Sequence, residues 1–336
     1  MLQQPPLPVF QDQFGRQKRK LRISVTDRCN FKCVYCMPEH PEWMAKHQLL
    51  SFEQLYQFCQ FMVERGIQHI RVTGGEPLMR QGIVHFIAQL QQLKPLGLQR
   101  ISMTTNAHYL KKYAVALKQA GLDDLNISLD SLDANQFQAL TQKPLSPVLE
   151  GIQAAIDAGF NIKINTVLIK GINDDQILPM ADWSIQNNIS IRFIEFMPLD
   201  GDAKWHKKDV VSEQDILAQL KTRFELTAQS THDSSPARQY FIDGYPIGII
   251  STISHSFCNT CDRLRLNAQG DFYNCLFAPE GLNLREDIRR LSPNHQNELE
   301  HKLQRHIWNK EQGFDAIQAK LKQTHTRKIS MHMIGG

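Results

Sequence analysis

No apolar run in this sequence approaches the ~20 residues that a membrane-spanning helix needs. A helical membrane protein is therefore excluded. The first residues, Met1-Leu2-Gln3-Gln4-Pro5-Pro6, have neither a charged stretch nor an apolar one. A secretory leader is not expected, and the expected location is the cytoplasm. Charge of one sign is also scarce: 38 Lys and Arg stand against 34 Asp and Glu, a net charge of +4. That balance argues against a nucleic-acid partner but permits a local cationic pocket. No low-complexity tract is present, and no internal repeat beyond a strand–helix alternation.

What is present is cysteine, in two concentrated groups. Six of the seven cysteines fall into two trios. A reducing cytosol keeps such thiols free, so disulfides are not expected. Cys29, Cys33 and Cys36 have the spacing C-x3-C-x2-C. Thiolates are soft ligands for zinc, copper or iron–sulfur clusters. A loop this tight can place three sulfurs on three corners of one cubane, and no fourth cysteine lies nearby. One iron would then stay open to a substrate or cofactor. Structural zinc usually adds a second pair of ligands to a C-x2-4-C pair, which fits this trio poorly. Cys258, Cys261 and Cys275 form the second trio, C-x2-C-x13-C. Here spacing leaves two readings open: another three-thiolate cubane, or a Cys3His zinc site completed by His255. Cys59, inside the helical pattern from Phe52 to Val63, reads as a small buried hydrophobe.

The 336 residues allow roughly two domains of ~150, or one barrel with an appendage. Strand-like segments at Leu21–Thr26, His69–Thr73, Arg100–Thr104, Asp124–Leu129, Asn161–Ile169 and Ile189–Phe196 alternate with helical patterns. The helices are Phe52–Arg65, Ile83–Leu93, Tyr109–Ala120, Pro147–Ala158 and Asp174–Gln186. Gly66, Gly97, Gly121 and Gly159 stand where helices should end. Six β–α units in a row imply parallel strands with crossover connections. Six are too few for a closed eight-stranded barrel. The expected fold is α/β, a partial (β/α)6 TIM-like barrel, with a doubly wound sheet as second choice. The expected division is a flexible lead-in over residues 1–11, a barrel core over 12–198, and a C-terminal region over 199–336 that caps the open side. In that region Ser212-Glu213-Gln214-Asp215 opens a helix running to Phe224. Arg238–Ile242 and Ile247–Ser251 read as a hairpin about Asp243–Pro246, and residues 283–322 read as mostly helical.

Strand parity adds a site. Side chains alternate faces along a strand. Leu21, Ile23 and Val25 share one face, and Arg22, Ser24 and Thr26 the other. The same split separates Ile70/Val72 from Arg71/Thr73, and Ile162/Ile164 from Lys163/Asn165. Parallel strands covered on both faces are normally apolar throughout. This sheet instead has a polar face bearing Arg22, Arg71 and Lys163, with Arg192 a further candidate. Such cations would repel one another unless an anion binds among them, so a polyanion site is expected there. The alternative, a solvent-exposed antiparallel sheet, sits badly with the helices between the strands.

The first trio, preceded by Arg22-Ile23-Ser24-Val25-Thr26-Asp27-Arg28 and followed by Met37-Pro38, resembles the motif of radical S-adenosylmethionine (SAM) enzymes. Thr73-Gly74-Gly75-Glu76-Pro77 is similar to the segment that holds the methionine amino group of SAM in those enzymes. Within them the chain resembles the GTP 3′,8-cyclases from Gly15 to Gly336, and the second trio has the spacing of their auxiliary cluster. The resemblance implies two 4Fe-4S clusters, with guanine bound at the open iron of the second. It implies SAM contacts at Tyr35, Gly75, Ser128 and Met197, and GTP contacts at Arg22, Arg71, Thr104, Lys163, Arg263 and Arg265. It further implies that the tail Met331-His332-Met333-Ile334-Gly335-Gly336 enters the active site, so that Arg263, Arg265, Gly335 and Gly336 serve catalysis. Without the resemblance, Ser128 would read as a cap near a strand end, Met197 as core and the tail as loose chain.

The implied reaction takes a hydrogen from GTP C3′ with a 5′-deoxyadenosyl radical and closes the ring onto guanine C8. The product would be (8S)-3′,8-cyclo-7,8-dihydroguanosine 5′-triphosphate, the first step of molybdenum cofactor synthesis. The family also implies a homodimer, a reductant such as flavodoxin, and hand-off to cyclic pyranopterin monophosphate synthase. Two other readings compete: a radical SAM enzyme acting on peptides, and a zinc-stabilised binding module without catalysis.

Overall fold

A computed structural model describes residues 9–199, 202, 204–229, 235–324 and 330–335 of the chain. Six strands alternate with helices in its first two thirds. They are β1 (Lys20–Ser24), β2 (His69–Thr73), β3 (Arg100–Thr105), β4 (Asp124–Ser128), β5 (Asn161–Leu168) and β6 (Ser190–Glu195). The helices between them are α1 (Phe52–Val63), α2 (Ile83–Gln91), α3 (Leu110–Gln119), α4 (Ala134–Thr141), α5 (Ser146–Asp157) and α6 (Ile177–Gln186). All six expected strands and all five expected helices are present, with ends shifted by a few residues. Ser51 caps α1 through a reciprocal pair: its hydroxyl accepts from Gln54 N–H at 3.2 Å, and Gln54 accepts from Ser51 N–H at 2.8 Å. Gly66, Gly121 and Gly159 leave α1, α3 and α5 with positive φ, the conformation that favours glycine at a helix end.

Helix α4 has no counterpart among the sequence expectations. It is short, and only Phe137, Leu140 and Thr141 are buried, so its apolar periodicity is weak. The one available signal was Asp133, whose carboxylate accepts from Gln136 N–H at 2.7 Å.

The last third holds α7 (Glu213–Leu220), β7 (Leu226–Gln229), β8 (Arg238–Ile242), β9 (Tyr245–Ile250), β10 (Arg263–Leu266), β11 (Asp271–Tyr273) and β12 (Leu282–Asn283). Helices α8 (Arg285–Arg289), α9 (Gln296–Trp308), α10 (Phe314–Thr324) and α11 (Met331–Ile334) follow. Among the described residues the strand order is β12-β11-β10-β1-β2-β3-β4-β5-β6-β9-β8-β7. The C-terminal region therefore does more than cap the barrel. It adds one parallel strand to each edge, β10 beside β1 and β9 beside β6. The run β10-β1-β2-β3-β4-β5-β6-β9 is parallel throughout, and no ladder joins β9 to β10 among the described residues. The barrel is partial and open, and its two end strands come from the last third of the chain.

The hairpin β8–β9 turns through two residues, Asp243 and Gly244, with φ of 47° and 80°. Two positive φ values in a two-residue loop match the twist of the flanking strands. The turn is tighter than expected because Pro246 sits inside β9. It is paired with Phe241 and lies just outside the ladder to β6, which begins at Ile247. Of the lead-in expected over residues 1–11, residues 1–8 lie outside the described residues; beyond them Phe10 is buried, and Lys18 N–H donates to Phe10 C=O at 2.8 Å.

The outward faces of the parallel strands form the core. Leu21, Ile23, Ile70, Val72, Ile101, Met103, Leu125, Ile127, Ile164, Ile191 and Phe193 are buried against the helices. Helix α5 comes so close to the β3–α3 turn that a Cβ on Gly151 would lie 2.1 Å from the Ala107 carbonyl oxygen. Gly151→Ala should therefore destabilise the fold by about 1–3 kcal/mol. Urea or thermal unfolding reads this; an unchanged midpoint would mean that α5 can draw back.

Candidate active site

The inward face is built in rows. Strand register aligns Arg265, Arg22, Arg71, Ser102 and Asp124 across β10, β1, β2, β3 and β4. The next row holds Thr104, Asn126 and Lys163, and the one above it Ser128, Asn165 and Arg192. Neighbouring strands are only ~4.8 Å apart, so three guanidinium side chains start from adjacent positions. Asp124, at the end of the first row, is held by Arg100 at 2.5 Å. Burial pushes Arg22 well below the ordinary arginine range, and Arg265 and Arg71 push it further. Arg71 falls to about 10 through burial and then Arg192, and Arg265 to about 9 through burial and then Arg263. Lys163 falls to about 8, from burial and then Arg192. In each case charge is disfavoured by missing water and by other cations. An anion entering this space would relieve both.

The rows open into a cavity with about 1780 Å³ of empty space, its mouth included. All six trio cysteines line it, together with Arg22, Tyr35, Arg71, Gly75, Thr104, Ser128, Met197, Arg263 and Arg265. Lys163 shares the inward face but is not among the lining residues; it acts on the site through charge. The Gly335 carbonyl accepts a hydrogen bond from Arg265 Nη1. A Cβ on Gly335 would lie 2.5 Å from Thr73 Cγ2 and 3.3 Å from Ser24 Cβ. The tail thus enters the interior between β1 and β2. Gly336 lies outside the described residues.

The first trio occupies the loop after β1. Helix α4 staples this loop: Lys32 N–H donates to Thr141 C=O at 3.1 Å, and Val34 N–H to Leu140 C=O at 3.0 Å. Phe31 packs edge-on against His108 and Phe137. The loop after β2 presses on it from beneath. Gly75 N–H donates to Thr26 C=O at 2.7 Å, and a Cβ on Gly75 would lie 2.4 Å from the Arg28 carbonyl oxygen. The glycines are thus demanded first by two backbones in contact, a reason apart from ligand approach. Tyr35 donates its hydroxyl proton to Asp130 at 2.6 Å. Burial raises Asp130 to about 6, and Glu76, also buried, to about 7.

The second trio lies across the cavity, where Cys258–Thr260 forms a 3-10 turn and Cys275 follows β11. Met197 packs into a small apolar cluster with Leu199, Phe277, Phe314 and Ile317, which Cys275 also joins. Arg263 lies over the Phe257 ring at 4.7 Å. His255 does not join the trio: its Nδ1 sits 3.0 Å from Glu213 Oε2, and it does not line the cavity.

The residues fit the groups that the trios imply. Burial raises the thiols of Cys29 and Cys36 to about 12 and that of Cys33 well above the ordinary range, with neighbouring cysteines or carboxylates adding to it. Three such thiols facing one cavity favour a bound metal that neutralises their anions. Asn165 Oδ1 and Thr252 Oγ1 are buried at the cavity wall without a hydrogen-bond partner among the described residues, which suits a polar ligand. Asn106, Asp130, Thr252 and Lys310 also line the cavity and were not singled out from sequence; Asn165, on the polar face by parity, and His332, in the tail, line it too. Asn106 directly follows β3 and Asp130 comes two residues after β4, the strand ends where barrel enzymes place their chemistry.

An open parallel barrel with a three-cysteine loop after its first strand defines a radical SAM protein. Family models agree: the radical SAM superfamily matches residues 23–184, and Molybdenum Cofactor Synthesis C matches residues 189–316. A Streptomyces coelicolor protein named GTP 3′,8-cyclase is 42% identical over 85% of this chain and 85% of its own length. Its namesake from Staphylococcus haemolyticus is 38% identical over 97% of this chain and 99% of its own. The chain belongs to the GTP 3′,8-cyclase family, radical SAM enzymes of molybdenum cofactor synthesis. Among solved structures, Streptococcus suis SuiB bound to its precursor peptide SuiA superposes with a TM-score of 0.61 at 16% identity. That likeness covers 84% of this chain and 67% of SuiB, and it concerns the fold alone. No helix among the described residues is long and apolar enough to cross a membrane.

Because His255 is engaged with Glu213, His255→Ala should leave the iron and zinc content per chain unchanged. Metal analysis checks this; loss of a bound zinc would restore the Cys3His site.

Proposed function

We propose that this chain converts GTP into (8S)-3′,8-cyclo-7,8-dihydroguanosine 5′-triphosphate. The observation that carries the substrate assignment is the inward row of Arg265, Arg22 and Arg71 on adjacent strands. Guanidinium forks are suited to phosphate oxygens, and a triphosphate supplies the charge that this row lacks. A peptide substrate gives no reason for such a row.

Cys29, Cys33 and Cys36 hold one 4Fe-4S cluster and Cys258, Cys261 and Cys275 a second. A cluster held by Cys29, Cys33 and Cys36 would supply, with SAM, the radical chemistry needed to take hydrogen from ribose C3′. The protein's task is to bind, orient and exclude. Arg22, Arg71, Arg263 and Arg265 grip the triphosphate, with Thr104 on the wall beside them and Lys163 adding charge from behind. The second trio takes the guanine base, and Gly75, Tyr35, Ser128 and Met197 take SAM; family resemblance supports both assignments, and all of these residues line the one cavity. Gly335, tied to Arg265, couples the tail to the phosphate grip; Gly336 is assigned with it on family resemblance. The same resemblance supports a cytoplasmic homodimer served by a flavodoxin-type reductant, its product passing to cyclic pyranopterin monophosphate synthase.

The test is an anaerobic preparation assayed for iron, sulfide and zinc, then for GTP conversion with SAM and reductant. About eight irons per chain are expected from two four-iron clusters; four irons with one zinc would overturn the second cluster. Arg22→Gln should lower kcat/KM for GTP by roughly ten- to a hundredfold, from the ~1.5–3 kcal/mol of a charged hydrogen bond. Its iron content should not change. Normal GTP turnover in that variant would remove Arg22 from the phosphate grip.

A further inference from the structure

The segment before β1, bridged between Gln11 and Gln17, and the segment after α9 carry buried charge that the phosphate grip does not use. Asp12 and Lys18 are fully buried, and Arg16 and Lys310 nearly so. Asp12 Oδ2 lies 2.6 Å from both Arg16 Nε and Lys18 Nζ. Both cations then reach about 240 residues along the chain to the second trio. Arg16 Nη1 donates to the Cys258 carbonyl at 2.8 Å, and Lys18 Nζ to the Cys261 carbonyl at 2.8 Å. Arg16 also donates to the carbonyls of Glu311 and Gln312, at 3.0 and 2.8 Å. Lys310 Nζ donates to the Asn274 carbonyl, one residue before Cys275. Each of the three ligating segments is thus held by a buried cation at or beside its cysteine.

The charges do not cancel within this group, since Asp12 is one carboxylate among three cations. Unmatched buried cations are costly unless an anion lies close by. A cubane carried by three thiolates is anionic. The first trio has the opposite surroundings: Asp130 accepts from the hydroxyl of Tyr35, the residue before Cys36, and Glu76 accepts from Asn106 N–H, whose side-chain amide donates to Cys29 Sγ. Net charge and hydrogen bonding are among the factors that set the potential of an iron–sulfur cluster, and groups behind the ligands orient it. We propose that Arg16, Lys18 and Lys310, organised by Asp12, form a bracket that positions the second trio and raises the reduction potential of its cluster. The three are positioning residues, since they act through the ligating backbone. This inference rests on the two-cluster reading above.

The test uses full-length chain with Cys29, Cys33 and Cys36 replaced by alanine, so that only the second cluster remains. Iron and sulfide are counted, circular dichroism checks the fold, and the potential is read by redox titration with electron paramagnetic resonance. Lys18→Met and Lys310→Met should each lower the potential by about 59 mV or more, a tenfold change in a one-electron equilibrium. Lys18→Arg and Lys310→Arg should stay near the parent value. A bound cluster with unchanged potential in both methionine variants would overturn the bracket alone. Unfolding of both would reduce the lysines to folding elements and overturn it as well. If the parent triple variant binds no iron, the second cluster falls first and the bracket with it.

Discussion

Repulsion between arginines on neighbouring strands is the constraint on which the interior of this sheet depends. Arg265, Arg22 and Arg71 share one row, with Arg192 and Lys163 in the rows above. The outward faces of the same strands are aliphatic and buried, so the sheet is fixed from outside by packing and left unbalanced inside. A closed barrel would fill its interior with branched side chains. Here the openness between β9 and β10 and the charge within belong together: one admits a large anionic ligand, and the other gives it a reason to stay.

The two cysteine loops solve the same positioning problem by different physics. The first is held by packing and main-chain contact. Helix α4 takes its amides, Phe31 anchors it in the core, and Gly74 and Gly75 let the neighbouring loop touch its carbonyls. The second lies in short irregular segments and is held by charged side chains brought from far along the chain. Carboxylates stand near the first trio and cations near the second. A single cavity thus presents two unlike electrostatic environments to two chemically similar ligand sets.

Much of this was legible in sequence because it rests on local periodicity. Alternation placed Arg22 and Arg71 on the inward face before any pairing was known, and glycines marked the ends of α1, α3 and α5. Spacing alone grouped the cysteines, and family resemblance chose between zinc and cluster for the second trio. What sequence did not disclose depends on distant pairing. Nothing near Arg263 or Arg265 says that β10 lies beside β1, which aligns Arg265 with Arg22. Nothing near Lys18 announces Cys261. Helix α4 was overlooked because two apolar residues make a faint stripe, and Asp130 because its partner Tyr35 lies 95 residues away.

The strand order also bears on how the chain is made. Synthesis runs from β1 to β6 before either end strand of the parallel run exists. Until β9 and β10 emerge, β1 and β6 each carry an open row of backbone donors and acceptors, the kind of edge that invites pairing with another chain. The β1–β10 ladder spans some 240 residues, and such distant pairings form slowly. The strand that brings Arg263 and Arg265 into the cavity is thus also the one that shields β1. A nascent chain that has not yet delivered Arg263 and Arg265 to the cavity is the one most exposed to aggregation and to chaperone capture.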